Sequence, residues 1–217
     1  MIGYCIRMTT PRGSELGHSG SLPPAGRDEV VAATLVAAAD LFAERGPAAT
    51  SIRDVASRAG INHGLIHRHL GSKDALVASV LDYLGQHLAD LLAKQAPAEV
   101  VEAAIDRQLR VVARTILDGY PIGELQSRFP NVEQLLDFTR SYFDDDVDAR
   151  LAAAHAIALP LSWRLFGAFL RAATGLKDLT EQQLDDSIQR TVDRIATGGD
   201  PARPITGVQL LGTGDVP

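Results

Sequence analysis

The stretch TSIRDVASRAGINHGLIHRHLGSKDAL, residues 50–76, decides the fold. Apolar residues in its first third recur at i, i+3, i+4 and i+7, which predicts a two-turn helix over residues 51–59. Gly60 ends this helix, and Asn62 is a good N-cap for a second short helix over residues 63–70. Two short helices joined by a three-residue turn are typical of a helix-turn-helix.

The residues of this pair suit close packing of its two helices. The first helix needs one apolar face to support the second, and the small Ala56 and Ala59 allow the helices to approach each other closely. Gly60 supplies the left-handed conformation that a sharp turn requires. In a helix-turn-helix, the second helix presents its N-terminal residues to the major groove of DNA. We therefore predict that residues 63–70 contact DNA.

Most of the remaining chain is predicted to be helical, with little strand signal. Apolar residues recur three and four apart, and Gly and Pro fall at the boundaries. One helix precedes Gly46 and Pro47, and another covers residues 73–94. We predict a kink at Pro160. Further helices are predicted over residues 98–117, 123–128, 131–143, 144–174 and 181–196. The predicted fold class is all-α.

Composition divides the chain into four parts. The ends are rich in Gly, Ser, Pro and Thr and lack a sustained apolar period, which predicts disordered or flexible tails. The parts are an N-terminal tail over residues 1–26, a helix-turn-helix DNA-binding domain over residues 27–74, a second helical domain over residues 75–197 and a C-terminal tail over residues 198–217. Met8 is a plausible second start of translation, and we expect the segment before it to be dispensable for folding and DNA binding.

The uneven distribution of charge removes an objection to nucleic-acid binding. The whole chain of 217 residues carries a formal net charge of −6. Residues 27–74 hold six basic and six acidic side chains, whereas residues 75–197 hold 12 basic and 18 acidic ones. The acidity therefore belongs to the second domain and not to the predicted DNA-binding domain.

Other features exclude several classes of protein. The single cysteine, Cys5, cannot form an internal disulfide, which is compatible with a reducing cytoplasm. No run approaches about 18 uninterrupted apolar residues, so we predict no membrane-spanning helix. No nucleophile motif, glycine-rich phosphate loop or paired-carboxylate motif rises above chance, so we predict no enzyme and no cofactor.

The sequence resembles a known family at the residues that form these motifs. The helix-turn-helix and the S-K-D-x-L start of the next helix at Ser72, together with the G-x-x-x-T spacing of Gly46 and Thr50, are similar to the DNA-binding domain of the TetR family of bacterial repressors. The match covers residues 27–76. The chain departs from the family pattern at His67, where the family usually has Tyr, and at Leu70, where it usually has Phe. Asn62 replaces a Ser or Thr and remains a good N-cap.

The resemblance implies a homodimer on a palindromic operator, because one recognition helix reads too few base pairs. The predicted DNA contacts are Thr50, Asn62, His63, Gly64, Leu65, His67, Arg68, His69 and Lys73. Thr50 is also a candidate cap of the second helix, and Lys73 is a candidate phosphate contact. In the family, the equivalent of His67 donates a hydrogen bond to phosphate.

By analogy with the family, the second domain binds a small effector and forms the dimer. The predicted effector-binding residues are Tyr120, Phe129, Phe138, Tyr142, His155, Trp163, Arg164 and Phe166. The predicted dimer interface, on the last two long helices, consists of Leu165, Phe169, Leu184, Ile188, Val192 and Ile195. For any single aromatic residue, a purely structural place in the core is the commoner role.

Alternatives remain open at this stage. His63 and His67, at i and i+4, resemble a zinc pair, but no Cys, Asp or Glu nearby completes a ligand set, so we predict no metal site. A helical small-molecule-binding protein or enzyme with purely structural N-terminal helices is the main alternative to a repressor. The sequence does not separate a repressor from an activator, and it names neither operator nor effector. We expect a cytoplasmic protein with no membrane partner.

Overall fold

The computed structural model describes residues 26–199, and this part of the chain is helical throughout, with no strand. The predicted tails, Cys5 and Met8 lie outside the described residues, apart from positions 26, 198 and 199. The helices are α1 (Arg27–Arg45), α2 (Ile52–Ala59), α3 (His63–Leu70), α4 (Lys73–Ala93), α5 (Ala98–Leu117), α6 (Ile122–Leu125), α7 (Pro130–Arg140), α8 (Asp146–Thr174) and α9 (Glu181–Ala196). The all-α prediction is confirmed.

Helix bounds agree with the sequence where a cap or a glycine marks them, and they differ around α6 and α7. A helix was predicted over residues 123–128, but Asp82 of α4 accepts hydrogen bonds from the amides of Ser127, at 3.0 Å, and Arg128, at 3.2 Å. These bonds hold the segment after Leu125 outside the helix. The end predicted for α7, residue 143, is also wrong, because the chain tightens into i to i−3 hydrogen bonds after Arg140.

The largest apolar core joins the first five helices. Phe42 of α1, Ile66 of α3, Val77 of α4 and Val111 of α5 are all at most 1% exposed and belong to one cluster. Leu70 packs against this cluster as well. The helix-turn-helix therefore rests on α4 and α5 and is held by the same core as they are.

A second core joins α7, α8 and α9. Leu135, Ala153 and Val192 are each at most 2% exposed in this cluster. Ile188 and Ile195 pack against it. The apolar side of α9 therefore packs within the chain, which leaves the polar side of this helix outward.

Helix α8 carries an apolar stripe that no other described helix covers. Val147, Leu151, Leu165 and Phe169 are 62%, 50%, 46% and 68% exposed. Leu151 and Leu165 are two heptads apart, and the other two lie one turn beyond each of them. By length and composition α8 could cross a membrane, although its sequence contains no uninterrupted apolar run of that length, and 11% of its most apolar part is buried within the chain. The helix runs through Pro160 without interruption.

Candidate nucleic-acid interface and ligand cleft

The start of α2 is fixed by a reciprocal cap. The Asp54 amide donates to Ser51 Oγ at 3.1 Å, and the Ser51 amide donates to Asp54 Oδ2 at 2.8 Å. The Ser51 hydroxyl also donates to Asp54 Oδ2 at 2.8 Å, and the two bonds that the carboxylate accepts lower the pKa of Asp54, because they favour its charged form. The N-cap of α2 is therefore Ser51. The prediction that Thr50 caps this helix is wrong.

The turn between α2 and α3 depends on a left-handed glycine. Gly60 has φ 68° and ψ 30°, and its amide donates to the Ser57 carbonyl. The next amide, of Ile61, donates to the Ala56 carbonyl at 3.0 Å, which completes a Schellman motif. The Ile61 side chain packs against the main core and fixes the direction in which the chain enters α3.

Helix α3 has one anchored side and one exposed side. Asn62 caps it by accepting a hydrogen bond from the Gly64 amide at 2.8 Å, and Ile66, 0% exposed, anchors it in the core. Of the predicted DNA contacts, Asn62, His63, Gly64, His67 and Arg68 are exposed, and Leu65 and His69 are half-buried. The exposed residues occupy the N-terminal and outer side of the helix, where a recognition helix meets base edges and phosphates.

Two other predicted DNA contacts are placed differently. Thr50 is 1% exposed and its hydroxyl donates to the Gly46 carbonyl at 2.8 Å, so its side chain is part of the core rather than of the surface. Lys73 is half-buried, and its Nζ donates to the Ala48 carbonyl at 3.4 Å. Its contact with phosphate stays a prediction.

The charged side chains of α2 and α3 favour binding of a polyanion to one side of this helix pair. Arg58 is neutralised by a two-pronged pair with Glu44, at 3.0 and 3.1 Å, and this pair lowers the pKa of the Glu44 carboxyl. By contrast, Arg53 and Arg68 are exposed and make no ion pair among the described residues. Helix α3 itself contains no carboxylate. Cationic and neutral donors therefore dominate its outer side.

Comparison with known proteins decides what this arrangement is. Residues 35–80 match the bacterial regulatory proteins of the tetR family. The HTH-type transcriptional repressor Rv3405c of Mycobacterium tuberculosis is 59% identical over 172 residues, which are 79% of this chain and 92% of the relative. This chain belongs to the TetR family. It is a transcriptional regulator and not an enzyme, so the main alternative is set aside on that point.

Other relatives agree with this assignment. The HTH-type transcriptional regulator Mb3439c of Mycobacterium bovis is also 59% identical over 172 residues, with the same coverage of 79% and 92%. The repressor KstR2 of Rhodococcus jostii is 40% identical over 76 residues, 35% of each chain. A crystal structure of a HlyIIR mutant protein aligns with a TM-score of 0.50 at 21% identity, covering 79% of this chain and 97% of that one, and shows a shared fold alone.

A cleft lies between the start of α5 and the α8–α9 pair. Its volume is about 1230 Å³. Of the eight predicted effector-binding residues, Trp163 and Arg164 line it. Arg164 spans to α5, where it donates to Glu102 and, at 2.9 Å, to Asp106.

The structure does not bring the other six predicted effector residues to this cleft. Tyr120 packs against the core of the first five helices, where burial raises the pKa of its hydroxyl. Phe138 belongs to the second core, with its ring 4.9 Å from that of Tyr142. Phe129, His155 and Phe166 are exposed. Aromatic composition indicated a pocket-bearing domain, but the positions that face one cleft depend on long-range packing.

The predicted dimer residues also divide into two groups. Leu165 and Phe169 lie on the exposed stripe of α8. Leu184 and Val192 are only 8% and 2% exposed, and Ile188 and Ile195 pack on the second core, so these four stabilise the subunit itself. Their helical spacing identified an apolar face correctly, but that face meets α8 and α7 of the same chain.

Sequence reasoning missed the contacts between α5 and the DNA-binding part. Asp118, the C-cap of α5, accepts a hydrogen bond from the Ala48 amide at 2.7 Å. Arg107 of α5 donates to the Val36 carbonyl at 3.0 Å and pairs with Asp40 at 2.8 Å. About 70 residues separate these partners in sequence, and no local pattern signals them. Among the described residues, no group of three or more His, Cys, Asp or Glu could hold a metal ion.

Proposed function

We propose that this TetR-family regulator is a repressor that binds a palindromic operator as a homodimer and dissociates when a small-molecule effector binds. The observation that carries the proposal is α3: an anchored helix with a carboxylate-free outer side on a helix-turn-helix. The repressor relatives Rv3405c and KstR2 support the sign of regulation. The proposed DNA contacts are Asn62, His63, Gly64, Leu65, His67, Arg68, His69 and Lys73, within a DNA-binding domain over residues 27–74.

The homodimer is proposed from the stripe on α8. Leu151 and Leu165 mark a seam of heptad spacing, and the exposed Ala154, Ala158 and Ser162 lie between them on the same side of the helix. Large contiguous apolar patches are rare on monomers, and they mark interaction sites. A two-fold seam through α8 would place two α3 helices on one operator. The same seam explains the membrane-like hydropathy of α8 without a membrane, in keeping with a cytoplasmic regulator.

Effector release is proposed from the links that α5 makes at its two ends. Glu102 and Asp106 bind Arg164 at the cleft, while Asp118 binds the loop before α2. An effector that binds preferentially to one position of α5 would shift the population toward one form of the dimer. In that form the spacing of the two α3 helices would not match the operator. This effector-binding and dimerisation domain would correspond to residues 75–197.

Selection of bound sequences from random double-stranded DNA tests the proposal. We expect an inverted repeat. The centres of its two half-sites should be separated by about 10 base pairs, which is one helical turn, or by a multiple of this distance. Light scattering of the free protein should give twice the mass of one chain. Selection of a single unrepeated half-site, or no enrichment at low salt, would contradict the proposal. Transcription from the selected operator, with and without the protein, then distinguishes a repressor from an activator.

A further inference from the structure

The cleft between α5, α8 and α9 combines an apolar wall with charged side chains. Its volume of about 1230 Å³ exceeds the roughly 300–1,000 Å³ of common small-molecule sites, so an organic molecule of moderate size fits. Trp163, Pro160 and Ile188 contribute apolar surface to its lining. Leu165, on the seam, also lines the cleft, so a partner at the seam would border this site.

The two arginines of the cleft are already neutralised within the subunit. Arg164 is held by Glu102 and Asp106 of α5. Arg171 donates to the Glu181 carboxylate and to the backbone carbonyls of Lys177 and Leu179. An anionic ligand would have to displace protein carboxylates or carbonyls from these arginines. Lys177, which also lines the cleft, is the remaining cation of its lining.

A carboxylate is left over on the opposite wall. Asp185 of α9 is exposed, lines the cleft and makes no hydrogen bond or close ion pair among the described residues. Partial burial raises the pKa of its carboxyl, the nearby Glu181 charge adds to the rise, and Arg164 opposes it. Asp186 lies beside it in the lining. The Asp185 carboxylate therefore has no cationic partner among the described residues, and an ammonium group in the cleft can pair with it.

We propose that this cleft binds an amphipathic organic cation, whose ammonium group pairs with Asp185 and whose apolar body packs on Trp163. The inference rests on the proposed effector and specifies its chemical class. A cation bound at Asp185 lies near the Arg164 link to α5. Its charge repels the guanidinium and weakens the bridge to Glu102 and Asp106, which connects the ligand to the helix that supports the DNA-binding part.

Trp163 is the only tryptophan of the chain, so its fluorescence reports on the cleft alone. The probes are 4-phenylbutylamine, 4-phenylbutan-1-ol and 4-phenylbutyrate, which share one apolar body and differ in charge. We expect the amine to change Trp163 fluorescence with a Kd roughly tenfold below those of the alcohol and the carboxylate, as for a charge-assisted hydrogen bond. Asp185→Asn should abolish most of this preference. Asp144→Asn removes the same charge near the far end of α8 and should retain it.

Each outcome decides the inference. Equal affinities for amine and alcohol, no binding of the amine by fluorescence and calorimetry, or an equal loss of preference in both variants would overturn it. Because the titration contains no DNA, it is independent of operator binding, which is measured separately without probe. Amine binding at Asp185 by a protein that recognises no operator would confirm the site and contradict the proposed repressor function.

Discussion

The carboxylate of Asp118 accepts a hydrogen bond from the backbone amide of Ala48 at 2.7 Å, across 70 residues of sequence. Ala48 lies in the loop before α2, and its carbonyl faces Lys73 of α4. Gly46, in the same loop, has φ 82°, and a Cβ atom there would lie 2.6 Å from Asp118 Oδ2. The loop that leads into the helix-turn-helix is therefore fitted against the end of α5.

Asp118→Ala should destabilise the subunit by about 1 kcal/mol, because the Ala48 amide loses its acceptor at an exposed position where water partly replaces it. We also expect weaker operator binding, since the loop sets the position of α2. Chemical denaturation and fluorescence anisotropy measure the two effects. Asp118→Asn keeps an acceptor oxygen and serves as the control. If alanine and asparagine variants both match the parent protein, the bond contributes nothing.

Gly46→Ala should cost more, roughly 1–3 kcal/mol from the backbone conformation alone, because φ 82° and ψ 162° are reached almost exclusively by glycine. The new methyl group also collides with Asp118. Adding Asp118→Ala to this variant should therefore cost less than it does in the parent protein, and the double-mutant cycle measures that difference. Strict additivity of the two unfolding free energies would show that the close approach is not under strain.

Gly60→Val should destabilise the protein by about 1–3 kcal/mol and misdirect α3, because a β-branched residue is strained at φ 68°. No atom lies within 4 Å of the position that a Cβ would occupy, so the cost comes from the backbone and not from a collision. Gly60→Asn is the matched control, since Asn tolerates the left-handed region. Thermal unfolding and operator titration should rank glycine, asparagine and valine in that order. Equal stabilities of all three would remove the constraint on this turn.

The sequence predicted the structure best where local interactions determine the ends of helices and the conformation of turns. The bounds of α3 and α9 follow from the caps Asn62 and Thr180, and the predicted turn at Gly60 has the expected left-handed conformation. It failed where distant partners compete with local preference. The end of α6 is set by Asp82, 45 residues earlier in the chain. Likewise, the spacing of apolar residues on α9 revealed a stripe but not its partner.

Phe169→Arg, alone or with Leu165→Arg, should convert the proposed dimer into folded monomers, because both side chains are exposed in the subunit and lie on the seam. In a two-fold contact each substitution occurs twice, so one variant buries two charges in the apolar seam. Light scattering measures the mass, and circular dichroism checks that the helices remain. The earlier candidates Leu184 and Ile188 are unsuitable for this test, since arginine there would disturb the subunit's own packing.

Leu117→Arg provides the control for this experiment. Leu117 is 85% exposed at the end of α5 and lies outside the α8 stripe. We expect this variant to stay dimeric. If it dissociates as readily as Phe169→Arg, the effect is one of surface charge in general. If neither variant dissociates, the interface lies on another surface.

The departure from the family pattern at His67 gives the last prediction. His67 is exposed on the outer side of α3, where the family usually has a tyrosine, and the proposed contact is a DNA phosphate. An imidazole adds an ion pair to phosphate only when it is protonated. A phosphate favours the protonated form, so operator affinity should be greatest at low pH and should fall as the imidazole loses its proton.

His67→Tyr should flatten this pH dependence, because a tyrosine hydroxyl donates a neutral hydrogen bond across the whole range. The measurement is the operator Kd between about pH 6 and 8.5 at fixed salt, since each phosphate neutralised also changes the salt slope by roughly one unit. His63 and His69 contribute to the same trend in the parent protein, so the informative quantity is the difference in slope between the two proteins. His63→Asn is the matched control for a second exposed imidazole. Equal pH slopes in the parent and His67→Tyr would remove His67 from the phosphate contact and leave it as a solvent-facing residue of α3.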